Sequence, residues 1–437
     1  MGPVAKLQAL VAIPTVSYAE PGRTDADAFQ RLRKTMAELW PRVHALEITG
    51  AGEHGMLIRW PGRSADKPVV LMAHLDVVPV VSGDWTHDPF GARIADGSVW
   101  GRGTLDDKGC VAAICEAVEE LIGDGVTPAQ DVWLSFGSDE EVGGNAAREA
   151  VRVLRNRNVR PWLVLDEGGA VAHDAFPTVS AAIGVVGVAE KGSTSLRLSA
   201  TGDGGHASTP VRNGPAVRLA RALARLDDAP MPPRLPAPTL ELFRRLAPHA
   251  AAPLRILLGN AERISPAASR LLALAGPEAA ALARTTVAVT TLEGSPALNV
   301  IPAAAKAGVN VRILPGDSVA SVLKHVRAAI RDKAVAIEVV EEGEPSPVSR
   351  YDDAPFALVT DVISEVFPDV VPAPYVVLAA TDSRFFHAIS DHVYRFAPFR
   401  MTRAQRATIH AADEHIRVED FLSGIAWYRR LLEKLPG

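Results

Sequence analysis

Apolar positions in the first part of the chain come in short runs that end in ionisable residues. "KPVVLMAHLD" (67–76), "DVWLSFGSDEE" (131–141) and "RPWLVLDEGG" (160–169) each stay apolar for about a strand's length, then pass to His, Asp or Glu. Around them the period lengthens. "DADAFQRLRKTMAELW", with an Asp-rich start that suits a helix N-terminus, and the stretches Val111 to Leu121 and Ala146 to Leu154 have helical patterns. Strands alternating with helices predict a mostly parallel sheet covered on both faces. Such sheets gather their sites beyond the carboxyl ends of the strands, where all three runs carry their charges.

The pattern changes near Val186. "VVGVAEKGSTSLRLSATG" reads as strand, "NGPAVRLARALARL" as helix, "RTTVAVTTLEG" and "AAAKAGVNVRIL" as strands, "DSVASVLKHVRAAIRD" as helix and "AVAIEVVEE" as strand. That order, β-α-β-β-α-β, predicts one small sheet with two helices on one side. Asp227 to Arg284, rich in Ala, Leu and Pro, interrupts it and reads as extra helices. "EEGEPSPVSR" reads as a linker, after which alternation resumes and ends in the helix "VEDFLSGIAWYRRLLEKL". The expected division is 1–185, 186–342 with a helical insert at about 228–284, and 343–437.

Composition narrows the classes. With 437 residues the chain can hold two substantial cores, and 48% hydrophobic with 22% charged residues is ordinary for a globular protein. A net charge of -5 and 5% aromatics leave neither a basic footprint nor a base-stacking platform, so no nucleic-acid partner is expected. Cys110 and Cys115 are the only cysteines; they rule out a disulfide framework and read as buried apolar residues. Pro3 and Pro14 interrupt the short amphipathic start, Gly2 lacks a myristoylation context, and no stretch suits a membrane span. The expectation is a cytoplasmic protein with no membrane partner.

Four stretches carry the candidate chemistry: His74 and Asp76; "WGRGTLDDKGC" with Asp106 and Asp107; "GSDEEVGG" with Glu140 and Glu141; "LDEGG" with Asp166 and Glu167. Side chains two apart on a strand share a face, so His74 and Asp76 make either a salt-bridged strand end or a metal ligand with its orienting carboxylate. Seven carboxylates at one sheet edge repel each other unless cations neutralise them. Histidine with carboxylates suits zinc, cobalt or manganese. Two metals sharing one carboxylate can activate a water, and an unbound Glu can take its proton; Glu140 and Glu141 offer both roles side by side. A second imidazole is needed, and His387, His392, His410 and His415 are equal candidates by composition.

Over nearly its whole length the chain resembles the dinuclear zinc family that includes aminoacylase, acetylornithine deacetylase, succinyl-diaminopimelate desuccinylase and carboxypeptidase S. "AHLDVVP", "WGRGTLDDKG", "SDEEVGG", "LDEGG", "GGHAS", "LNVIP", "VNVRILPGD", "ATDSRFF" and "IHAADEHI" follow in family order. "GRGTLDDKG", "EKGS", "TDSRFF" and "YRFAP" together are nearest the carboxypeptidase S and N-acyl-amino-acid hydrolase branch. The resemblance implies an α/β zinc-peptidase catalytic domain, its mostly parallel sheet between helices, with an inserted α+β ferredoxin-like lid that in many members also forms a homodimer. It implies two divalent metals, one on His74, Asp106 and Asp166, the other on Asp106, Glu141 and His410, with Asp106 bridging. Zinc is the expected ion, cobalt and manganese the alternatives. Glu140 would be the general base, Asp76 would hold His74, and His206 would help stabilise the oxyanion. A cis peptide is implied between Asp106 and Asp107. Asn299 and Arg384 would contact substrate, Arg384 as a clamp on a carboxylate; Arg312 would either contact substrate or pair within the lid. The implied substrates are dipeptides, C-terminal residues of short peptides or N-acyl amino acids. A non-catalytic metal-dependent binding protein and a two-metal phosphoesterase are the competing classes. The first would be marked by a missing base or ligand; the second finds no phosphate-cradling loop here.

Overall fold

The computed structural model describes residues 1–81, 83–174, 179 and 181–437. The three apolar runs form the strands Ser64–His74, Gln130–Gly137 and Leu163–Asp166, adjacent and parallel, with Ser64–His74 in the middle. Their alternate residues enter different cores. Val69 and Leu71 join one apolar cluster with Val132, Leu134, Leu163 and Leu165, whereas Val70, Met72, Trp133 and Val164 join another on the opposite face. That is why the runs are continuously apolar rather than alternating: both faces are covered. Each fully buried Val or Leu contributes about 1.5–3 kcal/mol of apolar transfer energy.

The rest of the ten-stranded sheet extends from this centre. Val393–Arg395 adds in parallel beside Leu163–Asp166; Ala182–Glu190, Ala170–Ala172, Arg400–Met401 and Val370–Val377 lie beyond it. On the other side Gly55–Trp60 and Glu47–Ala51 pair antiparallel, because a short hairpin pairing Ala51 with Gly55 leaves no room for a crossover. Helix Lys108–Gly123 is buried along almost its whole length between the sheet and the helices Pro3–Val11 and Val418–Glu433, and encloses Cys110 and Cys115.

A separate four-stranded antiparallel sheet runs in the order Thr286–Glu293, Ala304–Ile313, Gly192–Thr201, Val335–Glu341. Helices Pro215–Asp227 and Val319–Ile330 pack on it through Leu219, Leu223, Val322 and Val326, giving the expected β-α-β-β-α-β unit. The run read as one strand from Val186 is two. Ala182–Glu190 belongs to the large sheet and Gly192–Thr201 to the small one, with Lys191 between them. A Cβ on Gly192 would lie 2.4 Å from the Gly343 carbonyl, so the incoming and outgoing chains pass in close contact there. The insert forms helices Ala237–Leu246, Ala252–Gly259, Ser265–Leu274 and Pro277–Ala283. Its apolar cluster includes Ile183 and Ala373, so the insert packs on the outer strands of the large sheet.

Candidate metal centre

His74 is the last residue of its strand and is buried. Its Nδ1 meets the Asp76 carbonyl oxygen at 3.1 Å and Asp76 Oδ1 at 3.4 Å, leaving Nε2 to face Asp106 Oδ1 at 2.8 Å. Asp76 has no exposed surface. It accepts hydrogen bonds from Ser17 Oγ at 2.7 Å and from the backbone N–H groups of Glu140 and Glu141, each at 3.2 Å. One carboxylate thus holds the imidazole and also fixes the turn after Gln130–Gly137 that carries the paired glutamates.

Asp106 stands between two imidazoles. Oδ1 faces His74, and Oδ2 faces Nε2 of His410 at 2.9 Å. The same His410 nitrogen lies 3.2 Å from Glu141 Oε2. Ligand-capable atoms of His74, Asp106 and Glu141 all fall within 4.8 Å of one another. The Asp106–Asp107 peptide is cis, as expected. Among the four downstream histidines, His410 alone meets this cluster among the described residues. His387 approaches Arg395, His392 meets Asp353 Oδ2 at 2.7 Å, and His415 stacks on Trp100.

Asp166 ends the neighbouring strand, where its Oδ2 accepts the Ser383 N–H at 2.9 Å. Behind it lies a buried network absent from the sequence expectations: Glu190 Oε1 pairs with Arg395 at 2.6 Å and accepts Thr381 Oγ1 at 2.8 Å, and Oε2 accepts the Thr381 N–H at 3.0 Å. Glu414 was also missed. It accepts backbone N–H bonds from Gly103, Leu105 and Asp106 and pairs with Arg102. Glu190 and Arg395 stand inside the quoted motifs "EKGS" and "YRFAP", and Glu414 inside "IHAADEHI", so the signal was proximity to a motif without a partner to assign.

Burial pushes the carboxyls of Asp107, Glu140, Glu141, Asp166 and Glu167 above the usual range, and for four of them neighbouring acids at the site add to the effect. His74 is pushed down by burial but raised overall by Asp106 and Asp76; His410 is raised to about 10 by its hydrogen bonds to Asp106 and Glu141. Nearby cations are committed elsewhere: Lys108 Nζ to the carbonyls of Leu10 and Ile13, Arg102 to Glu414, Arg395 to Glu190. Buried Glu141 Oε1 has no hydrogen-bond partner among the described residues. A concentrated negative charge, two imidazoles and an orphaned carboxylate oxygen fit divalent cations.

The remaining expected residues lie on other segments. His206 is exposed on the two-residue strand Gly205–His206, its Nδ1 2.7 Å from Ser208 Oγ. Asn299 lies beside it, its carbonyl accepting the Ala207 N–H at 3.0 Å, so "GGHAS" and "LNVIP" share one end of the small unit. Arg312 hydrogen-bonds Asn310 within the small sheet. Arg384 is half-buried, stacked on Phe385 with its Nη1 2.9 Å from the Thr381 carbonyl, next to Ser383 and hence to Asp166.

The chain is 34% identical to a probable carboxypeptidase S-like 2 of Dictyostelium discoideum over 98% of its own length and 84% of that protein's. It is 32% identical to the N-fatty-acyl-amino acid synthase/hydrolase PM20D1.1 of Danio rerio, covering 97% of this chain and 84% of that one. Its fold matches the M20 family metallo-carboxypeptidase Sso-CP2 from Sulfolobus solfataricus with a TM-score of 0.74, at 17% identity over 99% of both chains. The pattern of peptidase family M20/M25/M40 matches residues 70–434. This chain therefore belongs to peptidase family M20/M25/M40 and is a hydrolytic enzyme of that family.

Proposed function

We propose that the protein hydrolyses amide bonds adjacent to a free carboxylate, in dipeptides, C-terminal residues of short peptides or N-acyl amino acids. The observation that carries this is the placement of Asp106 with one carboxylate oxygen on each of two imidazoles, at 2.8 and 2.9 Å, as a bridging ligand would stand. His74, Asp106 and Asp166 would hold one divalent ion, and Asp106, Glu141 and His410 a second; zinc is favoured, with cobalt or manganese accepted by the same donors. Bound there, the ions would supply an acidified water and polarise the scissile carbonyl. Glu140 stands next to Glu141 on the turn held by Asp76; its carboxylate takes the proton from the attacking water and returns it to the leaving amine nitrogen. Asp76 orients His74 and, through the Glu140 backbone N–H, the base as well.

The small four-stranded unit acts as a lid in this reading. His206 and Asn299, at one end of it, would donate to the oxyanion and to substrate, while Arg384 would clamp the free carboxylate bidentately. Arg312 stays within the lid sheet. The named relatives favour two substrate classes, C-terminal peptide bonds and fatty-acyl amino acids. Among the described residues no helix is long and apolar enough to cross a membrane, and a cytoplasmic location and a lid-mediated homodimer remain proposals.

The test is hydrolysis by the zinc-loaded protein of four matched substrates: a dipeptide, its C-terminal amide, an N-acetyl amino acid and an N-fatty-acyl amino acid. Cleavage of carboxylate-bearing substrates with the amide spared is expected. If only N-acyl amino acids turn over, the protein is an aminoacylase-type deacylase. Equal cleavage of the amide removes the carboxylate clamp. Glu140→Gln is expected to lower turnover by about 10²–10⁴-fold with zinc retained; undiminished turnover would sink the base assignment.

A further inference from the structure

The loop that carries Asp106 follows Ser98–Trp100, and the segment that carries His410 runs into His415–Arg417, which pairs antiparallel with that strand; beyond the end of this short ladder one buried side chain joins the two loops. Glu414 has no exposed surface. Its Oε1 accepts backbone N–H groups from Gly103, Leu105 and Asp106 at 3.1, 2.9 and 3.1 Å, and its Oε2 accepts Arg102 Nη1 at 2.5 Å. All four donors belong to the loop that delivers Asp106. Glu414 itself lies four residues after His410, which adopts a positive φ of 61°. Arg102 closes the link by donating Nη2 to the Ala411 carbonyl at 3.0 Å, and the Glu414 carbonyl accepts the Gly101 N–H at 2.9 Å. Further along the same segment, Asp413 accepts the backbone N–H and hydroxyl of Thr86.

The other half of the site is anchored differently. His74 is fixed by the sheet, by Asp76 and by its N–H bond to Asp107 Oδ2 at 3.3 Å. The two imidazoles facing Asp106 therefore have separate supports: His74 stands on the large sheet, while His410 lies on a segment held by the short Ser98–Trp100/His415–Arg417 ladder, by Asp413 and, nearest the Asp106 loop, by Glu414 and Arg102.

We propose that Glu414, paired with Arg102, is a positioning residue for the His410-side metal subsite, locking the Gly103–Asp106 loop to the segment that carries His410. This rests on the two-metal reading. Hydrogen bonds to an ionised acceptor are roughly twice as strong as neutral ones, so removing the charge while keeping the shape loosens all four bonds at once. Groups that hold metal ligands in place typically change metal affinity by about 10–100-fold when altered.

The experiment is zinc competition against a chromogenic chelator on the full chain, comparing wild type, Glu414→Gln, His74→Ala and His410→Ala, with thermal unfolding recorded in parallel. The two histidine variants identify which affinity belongs to which subsite. Glu414→Gln is expected to weaken the His410-side affinity about 10–100-fold, to leave the His74-side affinity within about threefold, and to regain turnover in excess zinc. Arg102→Lys keeps the charge but gives up the two-armed grip, and is expected to weaken the same subsite to a smaller degree; it decides the matter if Glu414→Gln does not fold. Two unchanged affinities with a lowered unfolding temperature would reduce Glu414 to a structural role and overturn the proposal, as would equal weakening of both subsites. Wild-type protein binding fewer than two zinc ions would instead remove the two-metal reading, and this assignment with it.

Discussion

The Glu190–Arg395 pair offers the sharpest test of the buried architecture behind the site. Both side chains are almost completely buried, and the guanidinium reaches the carboxylate through two nitrogens at 2.6 Å. Replacing Arg395 with Met keeps most of the volume but leaves the buried Glu190 carboxylate without its cation, a change that costs about 3–5 kcal/mol for buried pairs. Here the Thr381 N–H and hydroxyl continue to donate to Glu190, which places the cost near the lower end. The lost bond from Arg395 Nη1 to the Val393 carbonyl adds about 1 kcal/mol. The expected loss is therefore about 3–4 kcal/mol. Urea unfolding followed by fluorescence of buried Trp40, Trp133 and Trp427 measures it. Glu190→Gln should lose a comparable amount, and the double variant less than the sum by at least about 2 kcal/mol, since each single change strands a partner. A loss below about 1 kcal/mol for Arg395→Met would mean that the pair behaves as a solvated surface bridge, and the reasoning would fail.

Other outcomes follow from the same geometry. Asp76→Asn should lower zinc affinity about 10–100-fold in chelator competition, because the group that orients His74 and both glutamate N–H groups loses its charge. Burial lowers the Lys191 ammonium to about 8, below its unfolded value, so the unfolded chain binds more protons between pH 8 and about 10.4 and stability rises with pH there. Relative to Lys191→Met, wild type should therefore gain stability between pH 8 and 10; urea midpoints at the two pH values check the sign. Leu71→Ala, in the doubly covered centre of the large sheet, should cost about 2–5 kcal/mol in the same unfolding assay. Arg384→Met should raise KM for a dipeptide several-fold while leaving kcat nearly unchanged; a fall in kcat with KM unaltered would count against the clamp.

The chain's topology explains why so few residues suffice to make this site. Three parallel strands end side by side, and each passes within a few residues to a carboxylate or imidazole. The distant His410 segment then closes over them. A sheet that is covered on both faces is a rigid base for this, because the strands cannot shift without disturbing two apolar clusters at once.

Much of this was written locally in the sequence. The continuous apolar runs dictate strands buried on both faces, since period and polarity are properties of neighbouring residues. The same locality places His74, Asp106, Glu140, Glu141 and Asp166 near strand ends, and the β-α-β-β-α-β order follows from alternating periods alone. Residues outside that local code needed the folded chain. Composition left four histidines equal, and the family resemblance rather than the local pattern pointed to His410, which the folded chain brings to 2.9 Å from Asp106. Glu414 and Arg102 pair across 312 positions, and Glu190 and Arg395 across 205. The break at Lys191, where one apolar run divides between two sheets, and the docking of the insert on Val370–Val377 were equally unreadable. The reason is physical: burial periodicity is a local signal, repeated residue by residue, whereas a charge on a loop takes its partner from whatever the closed chain brings within about 3 Å, and only the tertiary structure decides that.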